Sequence, residues 1–236
     1  MIPKLNDTPK YELNIPSMNK QVKFRPYLVK EEKVLMMAFE SKDQKAALDA
    51  VAETITSCVN DEIQIKDLKL YDIEYMFTKI RAKSVGEQAK LLVTCTSCQS
   101  KNEISVDIDK VEVTSPGEVE NVIQITDDVS VEMTYPNFNK MISNEKIMAQ
   151  QSDVETLIEL IADCIVCINT EDEKVMLRDE PRDKIIEFVD SMTNDQFKKL
   201  RNFVESVPRV QINHEYVCES CKEKKEVTIR NIADFF

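Results

Sequence analysis

A chain of 236 residues with 31 Lys and Arg against 43 Asp and Glu carries a formal net charge of −12. That balance opposes phosphate-tracking nucleic-acid binding and attraction to anionic membranes, and two glycines in the whole chain leave no Gly-rich phosphate cradle. Seven cysteines without a basic-then-apolar opening segment predict a reduced protein that spends thiols on metal rather than on disulfides.

Residues 1–10 are polar and predict a loose arm. Tyr11-Glu12-Leu13-Asn14-Ile15 and Val22-Lys23-Phe24-Arg25 alternate around a turn at 16–20, which predicts a β-hairpin closed by Pro26. Helices follow over 30–41, with Val34, Met37, Ala38 and Ser41 in register; over 44–59, with Ala47, Leu48, Val51, Ile55 and Cys58; and over 71–83, with Ile73, Met76, Phe77 and Ile80. Lys30-Glu31-Glu32-Lys33 reads as an exposed first turn. Residues 63–70 are a linker, and Gly86 stops the third helix. Strands are expected near 89–94 and 103–108, on either side of Cys95-Thr96-Ser97-Cys98.

The segment 111–120, with Pro116-Gly117, predicts a boundary, after which the order starts again. A second hairpin uses 122–125 and 129–134 and is closed by Pro136. A helix is expected over 137–151. Ser152-Asp153-Val154-Glu155 is a capping box opening a helix to about Ile168, a stretch too short and too acidic to span a bilayer. A short helix from Pro181 and a helix capped by Thr193-Asn194-Asp195-Gln196 precede Cys218-Glu219-Ser220-Cys221 and its strands.

The two C-x-x-C turns organise these elements. Cys95 and Cys218 lie 123 positions apart, and so do Val106 and Ile229. Lys101, Glu103, Ile104 and Val106 are echoed by Lys224, Glu226, Val227 and Ile229. The expected fold class is therefore α+β and internally duplicated: hairpin, helices and knuckle hairpin, twice over. The predicted division is an arm at 1–10, a first repeat at 11–115 and a second at 116–236, packed pseudo-twofold as one body or two. Cys95, Cys98, Cys218 and Cys221 supply the four thiolates of a closed structural zinc site, and neither turn has enough ligands alone. Such a site joins the halves and leaves no position for a catalytic water.

Cys164-Ile165-Val166-Cys167 is a third C-x-x-C, but it sits in a helix-period run, where buried Cys acts as a small hydrophobe. His214, the only histidine, aligns with Leu91 at the same offset of 123 and reads as a strand position. The clusters Glu171-Asp172-Glu173 and Asp179-Glu180 lack EF-hand spacing and read as solvated surface. No nucleophile–base pattern is evident, so an enzyme is not expected.

Phe24-Arg25-Pro26-Tyr27-Leu28-Val29-Lys30-Glu31-Glu32-Lys33, then Asp72-Ile73-Glu74-Tyr75-Met76-Phe77 and Ile80-Arg81-Ala82-Lys83-Ser84-Val85-Gly86-Glu87, resemble the baseplate protein family of T4-like contractile-tailed phages. The final C-x-x-C with Asp234-Phe235-Phe236 is similar too. The resemblance implies a baseplate hub subunit or hub assembly chaperone, made in the host cytoplasm and used in building the tail. Its implied partners are other hub or tape-measure proteins, with no nucleic acid and no membrane. Phe24, Arg25, Pro26, Phe235 and Phe236 are the candidate partner-binding residues. The competing readings are a zinc-ribbon adaptor for transcription or nucleic acid, which the acidic charge opposes, and a thiol oxidoreductase, which would need a βαβ setting.

Overall fold

In the computed structural model, which describes residues 8–114, 117, 119–144 and 154–230, the first alternating segments pair as an antiparallel hairpin, β1 (Tyr11–Ile15) with β2 (Lys20–Phe24). Its inward residues Leu13, Ile15, Val22 and Phe24 are buried. The helices α1 (Val29–Glu40), α2 (Gln44–Cys58) and α3 (Leu70–Val85) follow; on α1 the expected inward stripe is overturned, since Val34 and Met37 face solvent and Leu35 is the buried apolar residue. Asp43 caps α2 by accepting the Lys45 and Ala46 N–H groups. Asp72, fully buried, accepts Lys69 N–H at the start of α3 and Ser17 N–H from the hairpin turn, both at 2.9 Å. One carboxylate thus caps a helix and pins the hairpin to it. Ile73, Met76, Phe77 and Ile80 put the apolar stripe of α3 wholly inside. Gly86 ends α3 at φ 138°, a conformation that side chains disfavour.

Lys30-Glu31-Glu32-Lys33 is not simply an exposed turn. Glu31 is only 7% exposed, because its carboxylate accepts from the Arg25 guanidinium at 2.9 Å and from Leu28 N–H at 2.8 Å. The charge is tolerated inside because it is paired and hydrogen-bonded.

Two knuckle hairpins complete this region: β3 (Gln88–Thr94) with β4 (Lys101–Asp107), and β10 (Arg209–Val217) with β11 (Lys224–Ile229). Within the expected boundary segment the chain forms a further short strand, β5 (Glu112–Thr114). It pairs antiparallel with β10, Val113 opposite Val210. Ala89, Ile104, Val106, Ile108, Val210, Ile212 and Ile229 share one core with Ala82 of α3.

The chain divides into two compact units. Unit 1 is 1–114 with 209–236, and unit 2 is 115–208. Both knuckles therefore lie in unit 1.

Unit 2 carries a four-stranded antiparallel sheet in the order β6 (Val122–Gln124), β7 (Ser130–Met133), β8 (Ile165–Asn169), β9 (Lys174–Met176). Its helices among the described residues are α4 (Phe138–Ser143), α5 (Val154–Cys164), α6 (Arg182–Asp190) and α7 (Asn194–Glu205). The expected helix to Ile168 ends early, at Cys164. The β-branched run Ile165, Val166 and Ile168 becomes β8, hydrogen-bonded on both sides by β7 and β9. Residues 152 and 153 of the expected capping box lie outside the described residues. The Thr193 box is present, with Thr193 N–H donating to Gln196 Oε1 at 2.8 Å and Gln196 N–H to Thr193 Oγ1 at 3.4 Å. Val131, Ile161, Leu200 and Phe203 anchor this unit's core.

Candidate metal centre

Each C-x-x-C turn closes a hairpin through the same backbone bonds. Cys95 N–H donates to Ser100 O at 2.9 Å and Gln99 N–H to Cys95 O at 3.0 Å. In the second knuckle Cys218 N–H donates to Glu223 O at 3.0 Å and Lys222 N–H to Cys218 O at 2.9 Å. Gln99 and Lys222, 123 positions apart, both take φ 61°. The ladders keep that offset: Leu91 opposes Ile104 where His214 opposes Val227, and Thr94 opposes Lys101 where Val217 opposes Lys224.

These turns bring Cys95, Cys98, Cys218 and Cys221 together, with all four sulfurs within 4.8 Å of one another. Cys95 Sγ lies 3.8 Å from Cys221 Sγ, and Cys98 Sγ lies 3.6 Å from Cys218 Sγ. A tetrahedral ion with bonds of about 2.3 Å requires sulfur–sulfur edges of about 3.8 Å, which these two separations match. Cys95 and Cys218 are buried, Cys221 is half-buried and Cys98 faces solvent. His214 stays in β10 and is not among the clustered donors.

The neighbours hold the sulfurs in place. Ser100 Oγ sits 3.0 Å from Cys98 Sγ and 3.2 Å from Cys218 Sγ. Asn102, 2% exposed, donates to Ser100 O at 3.0 Å and accepts Glu219 N–H at 2.8 Å, so it ties one knuckle to the other. On the far side Lys225 donates to Ser97 Oγ at 2.6 Å, and Ser97 donates to Glu223 at 2.9 Å. Ser100 and Asn102 were not evident in the sequence as site residues. Their only signal is position, since 223 and 225, which match them in the second knuckle, are polar as well.

Thiol acidity in the cluster is uneven. The Ser100 hydroxyl and the Cys221 backbone N–H bring Cys218 down to about 5. Ser100 also lowers Cys98. Cys221 is pushed up to about 12: the Glu223 N–H pulls it down, but burial and the thiols of Cys218, Cys98 and Cys95 outweigh that pull. The raised Cys221 thiol resists ionisation beside the other sulfurs. A divalent cation reverses that balance, because coordination deprotonates a thiol outright.

Phe24 is 2% exposed and packs beside Tyr11 at a ring separation of 5.6 Å, so its ring is core and not a contact surface, contrary to the expectation. Arg25 is committed to Glu31 and to Pro26 O at 2.8 Å. Phe235 and Phe236 lie outside the described residues. Cys164 ends α5 and Cys167 lies in β8. Both are buried, and Cys167 donates to Glu132 at 3.2 Å. Among the described residues no helix is long and apolar enough to cross a membrane.

The family model described as T4 bacteriophage base plate protein matches residues 8–236. The chain belongs to the T4 bacteriophage base plate protein family. No curated protein and no solved structure matches it. The matched span of this base plate protein takes in the Arg25–Glu31 clamp, both units and both knuckles.

Proposed function

We propose that this base plate protein is a non-enzymatic hub subunit or hub assembly chaperone that binds other hub or tape-measure proteins, with its shape fixed by one structural zinc ion. The observation that carries this is the family match across nearly the whole chain. The zinc assignment is supported by four sulfurs within 4.8 Å of one another, two of whose separations match tetrahedral edges, and four thiolates leave no open coordination position for chemistry on water. Knuckle hairpins that repeat in register, in positive-φ residue and in hydrogen bonding at an offset of 123 support an internal duplication. The nucleic-acid adaptor reading is weakened because Lys224 pairs with Glu215 and Lys225 with Glu223, both at 2.6 Å. On this reading the protein is made in the host cytoplasm and acts during tail building.

The test has two parts. Elemental analysis of the purified protein is expected to give one zinc per chain, lost in both Cys95→Ser and Cys218→Ser. Co-expression with the phage's hub and tape-measure proteins is expected to yield a stable complex. Mass spectrometry of purified tails then separates a resident subunit from a chaperone that leaves. A protein that binds none of these components, in zinc-loaded form, sinks the proposal.

A further inference from the structure

Unit 1 has a groove of about 300 Å³ between α1 and α3. Leu35, Met36, Phe39, Tyr27 and Val85 give it an apolar lining. Two of these side chains are largely in solvent, Met36 at 57% and Val85 at 58% exposure, and Met37, the next residue of α1, is 71% exposed. Long unbranched methionines on an open helix face suit a surface that packs against another protein.

The groove is also charged in a specific pattern. Glu32 and Glu40, both on α1, line it eight residues apart, which places them about 12 Å apart along the helix. Neither makes an ion pair among the described residues, although Glu31 next door is fully engaged with Arg25 and Lys30. The opposite wall carries Arg81, whose charge acts on the Tyr27 hydroxyl. Along α1 the groove therefore runs acid, apolar, acid.

We propose that this groove docks a helical segment of another base plate or tail protein. That segment carries a large apolar side chain (Leu, Met or Phe) flanked by Lys or Arg about two turns apart. This rests on the reading above that the chain works by binding other tail components. The apolar anchor would fill the space between α1 and α3, and the flanking cations would meet Glu32 and Glu40. The cavity volume is in the range that holds one or two large side chains, which fits an anchor and not a whole buried helix.

The probe is a set of overlapping peptides of about 18 residues, tiling the phage's other base plate and tape-measure proteins, read by fluorescence polarisation against the full-length protein. Bound peptides are expected to show the basic–apolar–basic pattern. Met36→Arg is expected to weaken them at least tenfold. Glu32→Gln with Glu40→Gln is expected to weaken them less and to flatten their salt dependence. Met36 is exposed, so helix content and zinc content should be unchanged, and circular dichroism with elemental analysis checks this. Peptides of another pattern, binding unaffected by Met36→Arg, or no peptide binding would each overturn the proposal. Pull-down of whole hub components is run in parallel. Capture that is equal for wild type and Met36→Arg leaves the hub function standing and removes the groove. No capture by either removes both. A dimer of this chain that Met36→Arg dissociates, with partner capture intact, assigns the groove to self-association and also overturns the proposal.

Discussion

Breaking the four-sulfur cluster should loosen unit 1 by an amount that the chain path sets. The cross-link between Cys98 and Cys218 closes a loop spanning 120 positions. Closing a loop of that size removes about 5 kcal/mol of unfolded-state freedom. If unit 2 keeps its fold, the pairing of Thr114 with Arg209 already pinches the loop. The free path is then about 25 residues, and the contribution falls to about 3.5 kcal/mol. For a chain of this size such a loss lowers the melting temperature by about 7–20 °C. The assay is thermal unfolding by far-ultraviolet circular dichroism, since the protein has no Trp. It compares zinc-loaded wild type, Cys95→Ser, Cys218→Ser and wild type with a strong chelator. The three perturbed samples are expected to melt together, below the loaded protein. Serine variants that melt low while the chelator changes nothing would mean that the thiols contribute packing and not a metal staple. Four identical curves would remove the staple altogether.

Further outcomes follow from single side chains. Ser100→Ala deletes a hydroxyl shared by Cys98 and Cys218. It should lower zinc affinity about tenfold or more in a chelator competition, with the fold unchanged. Glu74 is pushed up to about 7 by burial. A carboxyl raised in the folded state stabilises the fold below its unfolded value and loses that contribution as pH rises through 7. Glu74→Gln should therefore stabilise the protein at pH 8, by about 3 kcal/mol at most, and change little at pH 4, as read by urea unfolding at both pH values. Leu200→Ala, at a fully buried position of unit 2, should cost about 2–5 kcal/mol while zinc content stays at the wild-type value. Loss of zinc in that variant would contradict a metal centre contained in unit 1.

Local pattern was enough to read much of this protein. Period-two alternation placed β1 and β2, period-three-and-four stripes placed α2 and α3, and Thr193 with Gln196 marked the start of α7. In each case the residues that decide the element are neighbours in the chain. The four cysteines were legible for the same reason, since each pair is a turn with fixed spacing and a constant offset links the two. What local pattern misjudged depended on distant partners. Glu31 looked exposed because its adjacent partner, Lys30, is itself a solvent-facing cation, and Arg25 joins the pair only once the strand–helix turn forms. Ile165 to Ile168 fit a helix until β7 and β9 offered hydrogen bonds on both sides. Phe24 looked like a surface motif until the hairpin turned its ring inward beside Tyr11. The pairing of β5 with β10, the Asn102 tie between the knuckles and the α1–α3 groove all join residues far apart in sequence. Only tertiary packing could decide them, because burial and counter-charge are properties of the folded neighbourhood and not of the local run.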